Sequence, residues 1–250
     1  MIRTLLAAAF AFLATAALPA PRITHVDPPK HVLFIGNSFS YYNDSLHGHL
    51  RHLVLAADAG HAKEYVFRSS TISGAYLMEH AGDLPYELQS RHWDLVVLQG
   101  QSREPMADDA SKVERFRAAA RGFDGLIKAS GAKTAFFMTW AYQGKPEMTA
   151  PLAQGYESIA NELDDLVVPV GLAFKRSLAQ RPALVLHFKD HMHPSLAGTY
   201  LAACTFYAAL YGRSPVGNPY TADLDADTAR FLQAVAWETV RDYYGIKAIQ

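Results

Sequence analysis

The chain has 250 residues, half of them hydrophobic, with 23 Lys and Arg against 24 Asp and Glu and a formal net charge of −1. This length and apolar content suit one domain with a substantial core, and the balanced charge excludes an electrostatic nucleic-acid binder. The single cysteine, Cys204, excludes an intramolecular disulfide and a cysteine-ligated metal site.

Residues 1–20 read as a leader. Arg3 gives a positive start, Leu5 to Leu13 form an apolar run, and small residues follow at Thr15-Ala16-Ala17. This is the layout of a cleaved secretory signal, and the run is too short for a membrane span. The expectation is a secreted or periplasmic protein with no stable membrane insertion, residues 21–250 forming one domain.

Beyond a Pro-containing lead, apolar runs predict strands at Val32–Ile35, Tyr65–Arg68, Leu95–Leu98, Ala135–Met138 and Leu166–Val170. Most are continuous rather than alternating, as in strands buried on both faces of a parallel sheet. Helical spacing runs through Leu46, Leu50, Leu53, Val54 and Ala57, and again through Val113, Phe116, Ala120, Phe123 and Ile127. Further helices are predicted over Ala153–Leu163, Ser195–Tyr211 and Asp223–Tyr243. Strand–helix alternation predicts an α/β fold: a three-layer α/β/α sandwich with a mostly parallel five-stranded sheet. Ligands of such sheets bind at the C-terminal strand ends.

Polar residues cluster at those ends. The first strand runs into Gly36-Asn37-Ser38, and Asp190 and His193 come late in the chain, before Pro194. A turn would let Asp190 accept the His193 Nδ1–H, leaving Nε2 to act as a base toward a serine hydroxyl. Each element alone also fits a cap or a surface turn; together they supply a nucleophile, a base and an orienter. His191 competes for the base role, and His193 is preferred. Gly74, after the second strand, has a backbone N–H that a ligand oxygen can approach closely. Gln99-Gly100-Gln101-Ser102 follows the third strand. Tyr41-Tyr42 and Trp140-Ala141-Tyr142 also follow strand ends; Tyr41, Trp140 and Tyr142 are the candidate substrate contacts, for a sugar face or an acyl chain.

These blocks, in this order, resemble the SGNH hydrolases, also called GDSL-like esterases and lipases. Gly36-Asn37-Ser38 matches the first block, Gly74 the glycine of the second, and Asp190 and His193 the last. The third block departs from the family's Gly-x-Asn: Gly100-Gln101-Ser102 puts a serine in the place of the asparagine. The wider Gln99-Gly100-Gln101-Ser102 is similar to the Gln-Gly-Glu-Ser variant of carbohydrate acetylesterases. The resemblance implies the sandwich fold and a serine esterase that hydrolyses a carboxylic ester, acetyl foremost, on a small molecule or a carbohydrate. It implies Ser38, His193 and Asp190 as the catalytic residues. The oxyanion would be held by the N–H groups of Ser38 and Gly74 and by a side chain from Gln101, Gln99 or Ser102.

Other chemistries are less well supplied. The chain has eleven histidines, but neither His47/His49 nor His49/His52 has the i, i+4 spacing of helical metal ligands, and no His-Glu-x-x-His occurs. The expectation is no metal and no cofactor. Gly36-x-Ser38-x-Ser40 lacks the final glycine of an α/β-hydrolase elbow, and no Gly-rich phosphate loop is present. The alternatives are a non-catalytic carbohydrate-binding protein on the same fold and an acetyl transferase using the same acyl-enzyme.

Overall fold

The computed structural model describes residues 20–246, so the expected leader lies outside it apart from Ala20. The strands β1 (His31–Gly36), β2 (Val66–Thr71), β3 (Leu95–Leu98), β4 (Lys133–Phe137) and β5 (Leu166–Val168) form one sheet in the order β2-β1-β3-β4-β5. Every pairing is parallel. The helices are α1 (Ser38–Tyr41), α2 (Leu46–Ala57), α3 (Leu84–Ser90), α4 (Ala110–Ala129), α5 (Thr149–Leu163), α6 (Val170–Gln180), α7 (Leu196–Tyr211) and α8 (Ala226–Tyr244).

Alternate residues of each strand point to opposite faces, so the apolar runs feed two cores. Val32, Phe34, Val97 and Phe137 pack with α2, α6, α7 and α8, whereas Leu33, Ile35, Val96 and Phe136 pack with α3, α4 and α5. This is the three-layer sandwich expected from the sequence. Helix α7 is buried on every side from Ala197 to Leu210; it contacts both α2 and α8, which is why its sequence is apolar all round.

Three helices were not predicted. Helices α1 and α3 have four and seven residues, too few to display a period. Helix α6 begins at Val170, where the apolar run predicts the end of a strand. The run Leu166-Val167-Val168 does pair with β4, but Pro169 has no N–H to continue the ladder and serves instead as the N-cap of α6.

The order of the sheet positions the site. The chain moves from β1 outward to β2, then returns to the other side of β1 as β3. That reversal opens a crevice at the C-terminal edge between β1 and β3. Ser38 stands just beyond β1, Gly74 beyond β2, Gln99–Ser102 beyond β3 and Tyr142 beyond β4. Among the described residues no helix is long and apolar enough to cross a membrane.

Candidate active site

The segment that carries His193 is a hairpin rather than the simple turn that its sequence suggests. The Phe188 N–H donates to the His193 carbonyl (2.7 Å) and the Ser195 N–H to the Leu186 carbonyl (2.9 Å). At its tip the Asp190 carboxylate folds back on the chain, one oxygen accepting from the N–H groups of Met192 and His193, both at 3.0 Å. Aspartate favours such a turn because its short side chain reaches the backbone two and three residues on. The other oxygen of Asp190 lies 2.6 Å from His193 Nδ1.

Burial alone would raise the Asp190 pKa, but the Met192 N–H, the His193 ring and the His193 N–H outweigh it and hold the group at about 2. An ionised carboxylate only accepts, so Nδ1 carries the proton and Nε2 presents a lone pair. Ser38 Oγ lies 2.8 Å from that Nε2 and donates to it. Ser38, His193 and Asp190 are therefore one hydrogen-bonded row, able to carry a proton from the hydroxyl to the imidazole. His191 is not part of it: its backbone is left-handed (φ 66°) and its Nδ1 faces Gln143 Oε1 at 2.8 Å.

The imidazole is framed by aromatic rings. Tyr42 lies face to face on it, with centroids 4.2 Å apart and planes 5° from parallel, and Phe39 meets it edge-on at 5.6 Å. From sequence, Tyr41 is the candidate contact of the Tyr41-Tyr42 pair, whereas the fold brings Tyr42 onto the imidazole. Adjacent side chains in a short helix point in different directions, and only the fold shows which meets the histidine.

Gly74 adopts φ +70° in the turn Ile72–Ala75, a conformation that costs glycine little. Among the described residues neither the Gly74 N–H nor the Ser38 N–H donates to a protein acceptor. Asn37 ties their two segments together. Its Nδ2 donates to the Ala75 carbonyl (3.0 Å), and its Oδ1 accepts from the Phe39 N–H (3.2 Å) and from Gln99 Nε2 (2.7 Å). The backbone donors at Asn37 and Phe39 fix both amide orientations without ambiguity.

Gln99, a candidate for the oxyanion donor, is corrected by this network. It is buried, and its amide donates to Asn37 Oδ1 and to the Gly100 carbonyl while its oxygen accepts from the Asn37 N–H and Ser40 Oγ. Both hydrogens are committed to the scaffold. Gln101 differs: its Oε1 accepts from the Arg103 N–H (3.1 Å), and among the described residues its Nε2 has no protein partner, in a side chain that lines the Ser38 pocket. Ser102 also lines the pocket, its hydroxyl 2.7 Å from that of Tyr142. Buried Glu104 holds this loop, one oxygen accepting from the Gln101 N–H (2.9 Å) and the Leu77 N–H (3.1 Å). Burial raises its pKa in spite of those bonds.

The pocket over Ser38 has a volume of about 280 Å³ and is lined by Tyr41, Gly74, Gln101, Tyr142 and His193 among others. Across Gln101 and Tyr142 it adjoins a cleft of about 380 Å³ walled by Tyr76, Arg103, Asp109 and Lys112. Tyr41 and Tyr142 thus stand where substrate contacts were expected. Trp140 does not, and this is a second correction. It is fully buried, stacked between Phe39 (4.5 Å) and Phe174 (4.4 Å), and its indole N–H donates to the Met192 carbonyl at 3.0 Å. It supports the His193 hairpin from beneath, because so large an apolar ring is better buried than exposed. Among the described residues no group of three or more His, Cys, Asp or Glu is placed to hold a metal ion. Cys204 is buried, and burial pushes its thiol pKa up.

No family model and no curated protein matches the sequence. Solved structures do match. A proposed SGNH hydrolase from Slackia heliotrinireducens aligns at 24% identity over 72% of this chain and 97% of its own, with a TM-score of 0.60. A DUF4886 family protein from Bacteroides uniformis aligns at 19% identity over 87% of this chain and 96% of its own, with a TM-score of 0.64. An acetyl xylan esterase from Geobacillus stearothermophilus aligns at 18% identity over 75% and 97%, with a TM-score of 0.57. With its all-parallel sheet and these neighbours, the chain has the SGNH/GDSL-like hydrolase fold.

Proposed function

We propose that this protein is a serine esterase that removes a small acyl group, acetyl foremost, from a carbohydrate, outside the cytoplasm. The observation that carries the reading is the row Ser38–His193–Asp190, spaced at 2.8 and 2.6 Å. As Ser38 Oγ attacks the ester carbonyl, His193 Nε2 takes its proton, and ionised Asp190 stabilises the imidazolium. The carbonyl oxygen becomes an oxyanion held by the unpaired N–H groups of Ser38 and Gly74 and by Gln101 Nε2. His193 returns the proton to the departing alcohol, then activates a water that frees the acid from Ser38.

Support for a sugar ester comes from the cleft beside the pocket, whose Tyr76, Arg103, Asp109 and Lys112 suit a polar alcohol portion. The acetyl xylan esterase among the structural neighbours supports the same substrate class. The extracellular placement rests on the leader pattern of residues 1–20.

The test is labelling of the purified protein with a fluorophosphonate probe, alongside acetate release from acetylated sugars. Labelling at Ser38 and release of acetate are the expected results. A folded protein that neither labels nor releases acetate but binds the sugar would sink the esterase reading in favour of a binding protein.

Two further outcomes follow. Gln101→Ala is expected to lower kcat on 4-nitrophenyl acetate by about 100-fold, the typical loss for one oxyanion donor. An effect below twofold would transfer the role to the Ser102 hydroxyl. The acid limb of kcat/KM is expected to fall no more steeply than unit slope down to about pH 4, with no second step from Asp190. Asp190, held at about 2, stays ionised throughout that range. A slope of two on a logarithmic plot would contradict this.

A further inference from the structure

We infer that Asn43 is a positioning residue for His193, clasping the segment that bears Ser38 to the hairpin that bears the imidazole. Its effect on turnover rests on the esterase reading above. Ser38 and His193 are 155 residues apart, so only non-covalent contacts set their 2.8 Å spacing. Between α1 and α2, three successive non-glycine residues are left-handed: Asn43 (φ 51°), Asp44 (φ 63°) and Ser45 (φ 68°). Such a run persists only where its surroundings over-determine it.

The surroundings do so at Asn43. Both hydrogens of its amide are used, one on the Pro194 carbonyl (3.0 Å) and one on Thr199 Oγ1 (2.9 Å). Pro194 follows His193 directly, and Thr199 lies in the first turn of α7. At its other end, the Asn43 carbonyl lies 2.6 Å from Nε2 of buried His49. A carbonyl only accepts, so Nε2 carries the proton and Nδ1 is left to accept from the Tyr220 hydroxyl at 2.7 Å. Burial lowers the His49 pKa and so favours this neutral form.

Asn43 is thus held by α2 on one side and grips the His193 hairpin on the other. The residue before it, Tyr42, is thereby set flat against the His193 ring at 4.2 Å. The strained turn sets the plane of the ring through Tyr42 and the position of its backbone through Pro194. An amide is needed at Asn43, because a carboxylate there would face the Pro194 carbonyl with no hydrogen to offer.

The test compares Asn43→Gly and Asn43→Asp with the wild type in the full chain. Glycine adopts φ 51° freely, so Asn43→Gly removes the clasp and leaves the backbone fold intact, which thermal unfolding checks. One readout is kcat and KM on 4-nitrophenyl acetate per serine labelled by the fluorophosphonate. The other is the NMR signal of the His193 ring, including exchange of the Nδ1 proton shared with Asp190. Expected are a fall in kcat of at least about tenfold at unchanged KM, since small misplacements of reacting groups cost this much or more, and faster exchange of the ring proton. A His193 signal that stays as in wild type overturns the proposal, whatever turnover does. If the wild type neither labels nor turns over, the esterase reading fails and the ring signal alone decides the clasp: altered exchange supports it, unaltered exchange overturns it.

Discussion

Ser38→Ala and His193→Ala are each expected to lower kcat by about 10⁶-fold, with the double variant scarcely worse than either. The two act as one unit. Without the hydroxyl there is no nucleophile, and without Nε2, 2.8 Å away, nothing takes its proton as the bond forms. Asp190→Asn is expected to cost about 10⁴-fold, as when a histidine is left in the wrong tautomer. The asparagine amide, placed 2.6 Å from Nδ1, would favour protonation at Nε2 and so turn the base away from Ser38. Steady-state kinetics on 4-nitrophenyl acetate, with fluorophosphonate labelling to count active serines, measures all three. Additive losses in the double variant, or an Asp190→Asn enzyme within tenfold of wild type, would mean that the row does not work as a relay.

The second large effect is on stability. Gly198→Ala places a methyl group 2.2 Å from the Leu186 carbonyl oxygen, with Phe174 and Pro194 at 3.1 and 3.2 Å on its other sides. None of these can yield cheaply. The Leu186 carbonyl accepts the Ser195 N–H that closes the His193 hairpin, and Pro194 is buried beside the base. Helix α7 must move off the hairpin, at a cost of about 3 kcal/mol or more. The urea midpoint is expected to drop accordingly, and kcat with it. Gly125→Ala is the control. In exposed mid-helix α4 a methyl group at this position meets nothing within 4 Å, so alanine is expected to stabilise by about 0.5–1 kcal/mol through helix propensity. If both variants shift the midpoint alike, the close approach at Gly198 is not the cause.

Much of the fold was legible because burial leaves a plain mark on sequence. A strand covered on both faces must be apolar throughout, and Val32–Ile35 and Leu95–Leu98 are. A helix with one covered face repeats with its own period, and Leu46, Leu50 and Leu53 do. The short helices α1 and α3 leave no such mark, and at Val167-Val168-Pro169-Val170 a run of valines serves a strand and a helix in turn. The candidates Ser38, Gly74, Asp190 and His193 could be named because glycine, proline and paired polar residues stand out at the ends of apolar runs.

Properties that depend on near neighbours were legible in the chain alone: the parallel α/β sandwich, the strand ends at which a site would form, and the residues Ser38, Asp190 and His193 as its candidates. Choosing between near-equivalent side chains required the packed fold. Gln99 and Gln101 are two residues apart, yet one is locked beneath the site by Asn37 and the other faces the pocket. Tyr41 and Tyr42 are adjacent, yet only Tyr42 stacks on His193. Trp140 fills the core while Tyr142 lines the pocket. Asn43 reaches Pro194 across 151 positions of sequence. In each case the deciding contact joins distant segments, and its geometry is set by how strands and helices pack together, which no local pattern of residues encodes.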